Sequence, residues 1–190
     1  MSRALIVSKS EKAIAFLNDM LKQDRYDDIY ICESCTEARR TIAEQDFEIC
    51  IIDVPLRDEP GSELAIQIAE DWPECQVILL IKADFFEEVT ERMEEYGILT
   101  VAKPISQTLL WTAIKMTGAV RVRMRKIRKE NTKLLQRIED IRMINRAKLT
   151  LMTYLNMSEA EAHRYIEKQA MDLRITKREV AERVLKTYKN

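Results

Sequence analysis

Glycine and proline are scarce in this chain, three and four residues among 190. An all-β architecture needs many turns, so that scarcity argues against one. Histidine is scarcer still, with one residue. No Ser/His/Asp set, metal cluster or Gly-rich phosphate loop can be read in the sequence, and no enzyme is expected. Long apolar runs are missing too: Val77 to Ile81 is among the longest at five residues, far short of the roughly 20 that span a bilayer. No membrane association is therefore expected. The N-terminus has no signal-peptide pattern, which makes the cytoplasm the expected location. Cysteine is present but sparse. Cys32 and Cys35 have CxxC spacing, but no second such pair accompanies them, and Cys50 and Cys75 lie in or beside apolar runs. Reduced, buried thiols are expected, with no bound metal.

Charge is abundant and unevenly placed. Charged residues make up 33% of the chain and apolar residues 46%, as in a soluble globular protein with long exposed helices. The formal net charge of −1 conceals two opposite halves. Residues 1–120 carry 23 Asp/Glu against 12 Lys/Arg, and residues 121–190 carry 9 against 19. The reversal falls at Arg121-Val-Arg-Met-Arg-Lys-Ile-Arg-Lys129, six positive charges in nine residues. Such an asymmetry suggests an acidic module joined to one that meets a polyanion.

Short apolar runs alternate with amphipathic stretches through the first half. Ala4–Val7, Ile29–Cys32, Phe47–Asp53, Val77–Ile81 and Ile98–Ala102 read as strands. Between them lie helical patterns, such as Ile14, Leu17 and Leu21, or Leu64, Ile66 and Ile68. Five strands separated by single helices predict an α/β fold with a five-stranded, doubly wound parallel sheet. Function in such sheets gathers at the carboxyl ends of the strands. Ser8-Lys9, Asp53 and Lys103-Pro104 fall on that edge.

Ile51-Ile-Asp53-Val-Pro-Leu-Arg-Asp-Glu-Pro-Gly61 with Lys103-Pro104, set in this βα rhythm, resembles the receiver domain of bacterial response regulators over residues 1–118. The resemblance implies that Asp53 is the phosphoacceptor, that Lys103 is its conserved partner, and that a sensor histidine kinase addresses the domain. It also marks departures. The acidic pair that loads Mg²⁺ in receivers is Ser8-Lys9 here, and an ammonium is no ligand for a hard cation. Without the metal, charge on a transferring phosphoryl group loses its main neutraliser. The switch hydroxyl falls at Lys82 (Ile81 if the register slips by one) and the switch aromatic at Thr100. No cofactor is expected and Mg²⁺ binding is doubtful. The receiver site (Asp53, Lys103, Lys9 and Ser8) reads as vestigial, with an Asp53–Lys103 ion pair retained and Lys9 standing where the metal would be.

Past Pro104 the pattern becomes a heptad. From Val120 to Ile141 it runs with Met124, Ile127, Asn131, Leu134, Ile138 and Ile141 on one seam. The other faces are too charged to bury, which predicts a coiled-coil helix over residues 119–146 and a homodimer. Asn131 at an a position favours a two-stranded parallel coil. Parallel pairing also sets Arg123 against Arg128 and Arg137 against Arg142, so the strand orientation stays open.

Ser158-Glu-Ala-Glu161 and Thr176-Lys-Arg-Glu179 both match the capping box, predicting two helix starts. With the end of the long helix they make a small three-helix all-α domain over residues 147–190. Ala147-Lys148-Leu-Thr-Leu-Met152, Met157-Ser158-Glu159-Ala-Glu-Ala162, Gln169-Ala170-Met171-Asp172 and Val180-Ala181 together resemble the ANTAR domain, the RNA-binding output module of bacterial transcription antiterminators. The resemblance implies binding to paired hairpins with hexanucleotide loops in a leader transcript. Phosphates need cations, and Lys148, Arg146, Arg142, Arg164, Lys168, Lys177 and Arg178 are the candidates, with Arg174 nearby. Lys148 is the strongest, since it lies in the motif as well as the basic region. Tyr154 and His163 are planar candidates for stacking, whereas Tyr165 is expected in the core. Two further readings stay open at this point. One is a DNA-binding regulator laying helices in a major groove. The other is a phosphorylation-independent protein-interaction module.

Overall fold

The computed structural model describes residues 2–24 and 26–188. Two compact units divide between Arg125 and Lys126. In the first, five strands alternate with helices: β1 (Arg3–Val7), α1 (Glu11–Gln23), β2 (Asp28–Cys32), α2 (Cys35–Glu44), β3 (Ile49–Asp53), α3 (Ser62–Asp71), β4 (Gln76–Lys82), α4 (Phe86–Glu94), β5 (Leu99–Lys103) and the long α5 (Gln107–Leu155), which continues past the division. All strand pairs are parallel, in the order β2-β1-β3-β4-β5. This is the doubly wound sheet the alternation predicts.

The two-residue strand period explains how one sheet serves two cores. Ala4, Ile6, Ile49, Ile51, Ile78 and Leu80 face one side, where they meet Leu17 and Leu21 of α1 and Leu110, Ala113 and Ile114 of α5. Leu5, Val7, Cys50, Ile52, Val77, Leu79 and Ile81 face the other, against Ala38 and Ile42 of α2, Leu64 and Ile68 of α3, and Met93 of α4. Burying each Leu or Ile of these rows contributes about 1.5–3 kcal/mol. Strand order reverses direction at β1, so β1 and β3 leave the sheet towards opposite sides and open a crevice at their carboxyl ends. Asp53 closes β3 there.

The four cysteines are free and buried on the second face. Burial pushes the Cys35 thiol up to about 11 and that of Cys75 to about 12. The thiolate needed for metal binding or redox exchange is therefore scarce at neutral pH.

Leu110, Ala113 and Thr117, early in α5, are buried in this first unit. Ion pairs carry α5's contact with it further. Lys115 meets Asp24, Arg121 meets Glu48, and Arg125 lies 3.5 Å from Glu74. Arg121 and Arg125 of the basic run are therefore neutralised within the unit.

In the second unit the end of α5 packs with α6 (Glu159–Leu173) and α7 (Lys177–Thr187). Both capping boxes form: Ser158 with Glu161 at the start of α6, and Thr176 with Glu179 at the start of α7. Each box satisfies two otherwise orphaned backbone donors. The core is small: Ala147, Leu151, Ala162, Ile166, Ala170, Val180, Ala181 and Val184. Tyr165, expected in it, is exposed instead. The helical period aims Ala162, Ile166 and Ala170 inward and leaves Tyr165 on the flank.

Candidate functional site

The first candidate site sits at the carboxyl edge of the sheet. Asp53 is only 7% exposed, and both its oxygens are engaged. The Ser8 hydroxyl, at the end of the β1 row and fully buried, donates to Oδ2 at 2.7 Å. Lys103 at the end of β5 donates to Oδ1 at 2.8 Å and also to the Val54 carbonyl. Ser8 is fixed in turn, its Oγ accepting the Ser10 amide at 3.1 Å. The Asp53–Lys103 pair expected from the sequence is therefore present. Lys9, by contrast, is exposed and does not reach Asp53. The group beside the carboxylate is the Ser8 hydroxyl, because the strand alternation turns residue 8 inward and residue 9 outward. Mg²⁺ takes six oxygen ligands in near-octahedral geometry, usually one or two carboxylates with several waters. One carboxylate already sharing its oxygens with a hydroxyl and an ammonium does not fit that demand.

Further groups surround this centre. The Asp58 carboxylate accepts from the amides of Cys35 and Thr36, both at 3.0 Å, and from the Thr36 hydroxyl. These bonds pin the loop after β3 to the N-terminus of α2, and they hold the Asp58 pKa well below the usual carboxylate range. Arg39 forks onto Glu59 with two bonds of 2.7 Å. Gly61, at φ +84°, precedes α3, and a Cβ there would stand 2.5 Å from Val54 Cγ1. Nothing local in this loop spells its partner, since Asp58 reaches the start of a helix 22 residues upstream. On the far side, Thr100 of β5 and Thr90 of α4 share a hydroxyl–hydroxyl bond of 2.8 Å. Lys82 ends β4 in register with Lys103 and is exposed.

The second candidate site is the basic surface of the C-terminal unit. Three of the seven cations have partners there. Lys148, with a side chain 15% exposed, bonds Glu159 at 2.8 Å. Lys177 meets Glu167 at 2.5 Å, and Arg178 meets Asp140 at 2.7 Å and Glu182 at 3.0 Å. These pairs join α5 to α6, α6 to α7 and α7 to α5, one for each helix pair. The Lys177 and Lys148 bonds lower the Glu167 and Glu159 pKa values, and Gln136 with Arg178 lowers that of Asp140. Arg142, Arg146, Arg164 and Lys168 are exposed and form no ion pair within 4 Å among the described residues. Tyr154, 61% exposed, stacks on Tyr188 with ring centroids 5.3 Å apart. His163 is a surface residue 3.3 Å from Glu167.

The heptad seam is exposed along its length: Met124, Ile127, Leu134, Ile138 and Ile141 are each 40–58% accessible. Asn131 is exposed among them.

Comparison with known proteins adds to this geometry. The family model for the response regulator receiver domain matches residues 4–115, and that for the ANTAR domain matches residues 132–185. The chain is an ANTAR-domain response regulator. The transcriptional regulatory protein PdtaR of Mycobacterium tuberculosis is 27% identical over 187 residues, covering 97% of this chain and 90% of that protein. The signal receiver domain of an HD domain-containing protein from Pseudomonas fluorescens Pf-5 superposes with a TM-score of 0.59 at 20% identity, over 66% of this chain and 92% of that one. A streptococcal protein, described as belonging to a family of redox sensors evolved from two-component response regulators, superposes at 0.58 and 18% identity, over 66% and 55%. At such identities the solved structures speak to fold alone. The ANTAR response regulator described here thus belongs with antitermination-type regulators, joining a receiver module of the kind sensor kinases address to an RNA-binding type of output module. Its long helix fits a coiled coil, and among the described residues no helix is long and apolar enough to cross a membrane.

Proposed function

We propose that this regulator binds paired hexaloop hairpins in leader transcripts and prevents a terminator from forming, as a homodimer whose receiver works without phosphorylation or with only weak phosphorylation. It is not an enzyme beyond, at most, self-phosphorylation at Asp53. The observation that carries the RNA reading is the set of exposed, unpaired cations on the ANTAR unit, Arg142 and Arg146 on α5 with Arg164 and Lys168 on α6. Such groups release counterions from a phosphate backbone, and each contact steepens the salt dependence of binding. Lys148, Lys177 and Arg178 join them by exchanging a carboxylate for a phosphate. Tyr154 offers a ring face for a splayed loop base.

The silent receiver rests on the Asp53 carboxylate. Attack on a phosphodonor needs a free oxygen and a cation to neutralise the transferring group. Here one oxygen is held by Ser8 and the other by Lys103. The dimer rests on the exposed apolar seam from Met124 to Ile141, a stripe flanked by charge, as two-stranded coils require.

Electrophoretic titration of the full chain against a dual-hairpin hexaloop RNA and a duplex DNA of equal charge tests the output. Preference for the hairpins by ten-fold or more is expected. Equal affinity would move the assignment to a DNA-binding regulator, and no affinity for either at 50 mM salt would leave a protein-interaction module. For the receiver, rapid labelling of Asp53 by acetyl phosphate with Mg²⁺ is the result that overturns silence.

A further inference from the structure

One cavity in the receiver unit takes no part in the reading above. It has a volume of about 250 Å³ and lies beside Asp53, where β3 and β4 leave the sheet. Val54 and Pro55 form one wall, and Leu79 and Ile81 of β4 form the floor. Phe85 and Val89 cover it from the α4 side. Only two polar side chains line it, Ser62 and Lys82.

We propose that this cavity binds a small organic monoanion, a carboxylic acid with an apolar or aromatic body, and that Lys82 is its counter-charge. The size suits such a ligand: a dry cavity of about 150 Å³ takes benzene, and this one has room for a short carboxylate arm as well. The walls select for an apolar body, because a strongly polar molecule would lose hydration without finding partners. The charge at the mouth is single and positive. Lys82 is exposed and forms no ion pair within 4 Å among the described residues. Ser62 opens α3, whose preceding residue Gly61 supplies no side-chain cap, so first-turn amides there keep their donors for an anion.

Neighbouring negative charges do not cancel this. Asp53 is held by Lys103, and Glu63 in the first turn of α3 pairs with Arg92 at 2.7 Å. Asp84, Glu87 and Glu88 line a different cavity, with Ala83, Phe86 and Ala102. A cation has no counter-charge among the lining side chains, a polyol would bury its hydroxyls against mostly apolar walls, and one lysine with a hydroxyl matches a monoanion better than a doubly charged phosphate. Because Lys82 pairs in register with Lys103, an occupant would sit one strand from the Asp53 centre. The inference stands apart from RNA binding, and loss of either leaves the other intact.

The test is calorimetric titration of the full-length protein with 3-phenylpropionate and its neutral counterpart, 3-phenylpropanamide. Saturable binding of the acid with a dissociation constant on the order of 1 mM is expected on affinity-for-size grounds, with the amide roughly ten-fold or more weaker, as loss of one charged contact implies. Lys82→Met should weaken the acid about ten-fold and leave the amide unchanged, since only the charge is removed. Val89→Trp, which fills the cavity, should abolish binding of both, with circular dichroism confirming that each variant is folded. Equal binding of acid and amide, an unchanged affinity in Lys82→Met, or no binding of the acid by the wild type at roughly 10 mM, well above the affinity expected for a site of this size, would each overturn the proposal.

Discussion

If Ser8 holds Asp53 in a metal-free state, putting the missing acidic pair back should convert the site into one that depends on a divalent cation. The perturbation is Ser8→Asp with Lys9→Asp. Ser8 Oγ lies 2.7 Å from Asp53 Oδ2, so a carboxylate at position 8 places two negative charge centres about 4 Å apart. At an effective dielectric near 20 their repulsion is about 4 kcal/mol. Lys103, 2.8 Å from the other oxygen, offsets about half. The expected loss of stability in chelator is therefore about 2 kcal/mol, together with the lost hydroxyl bond of about 1 kcal/mol. Mg²⁺ at 10 mM, binding with a dissociation constant of about 0.1 mM, returns about 2.7 kcal/mol by mass action.

Both tryptophans, Trp72 and Trp111, lie in the receiver unit, so their fluorescence in a urea titration follows that unit alone. This matters because a chain of two units need not unfold in one step. The wild type should show a Mg²⁺ effect below about 0.5 kcal/mol, the ordinary scatter of a surface change. The double variant should be weak in chelator and recover in Mg²⁺, and adding Asp53→Asn should remove the recovery. A wild-type gain above about 1 kcal/mol from Mg²⁺ would refute the reasoning, since the native pocket would then bind the ion with Ser8 in place.

Three other outcomes follow from the same geometry. Gly61→Ala combines a left-handed backbone with a Cβ 2.5 Å from Val54 Cγ1, and should cost about 1–3 kcal/mol in the tryptophan-monitored unfolding. Asp58 has a lowered pKa because two backbone amides favour its ionised form. Its contribution is present above the unfolded carboxylate pKa of about 3.9 and is lost as pH falls through the lower folded value. Asp58→Asn should therefore flatten the acid limb of stability below about pH 4, read by fluorescence at fixed urea. Ile127→Asp with Leu134→Asp places charges on the exposed seam, and sedimentation at micromolar concentration should show a monomer where the unmodified chain is a dimer. An unchanged dimer would move the interface off α5.

Much of this was legible in the sequence for physical reasons. The sheet follows from apolar strands whose residues face a core on both sides, a pattern that leaves few other folds. Capping boxes are local, four residues long, and both form where their spelling places them. Tyr165 was misread because an aromatic at helical spacing next to Ile166 looks like core, whereas a core of alanines and small aliphatics has no room for it. The partners of Lys148, Lys177 and Arg178 were not legible either. Each lies on another helix 10 to 38 residues away, and nothing in a linear pattern says which carboxylate the fold brings near. Ser8 was flagged as an absence, a lost acid, although its hydroxyl is what seals Asp53.

The opposed charges of the two halves also resolve at the level of residues. Asp24, Glu48 and Glu74 precede β2, β3 and β4, so they line the amino edge of the sheet, opposite the edge that carries Asp53 and Lys103. There they meet Lys115, Arg121 and Arg125 of α5. The Arg121–Glu48 pair is the most buried of these, with side chains 16% and 23% exposed, and partial desolvation makes such a pair costlier to break than a surface contact. Part of the acidic excess of the first half is thus a clamp for the helix that leaves it. The basic run consequently commits Arg121 and Arg125 to the receiver unit, while Arg142, Arg146, Arg164 and Lys168 stand exposed further along for a transcript. Long-range attraction of a polyanion depends on the summed field. Contact depends on which charges lack an internal partner, and those four, on the ANTAR unit, have no ion pair within 4 Å among the described residues.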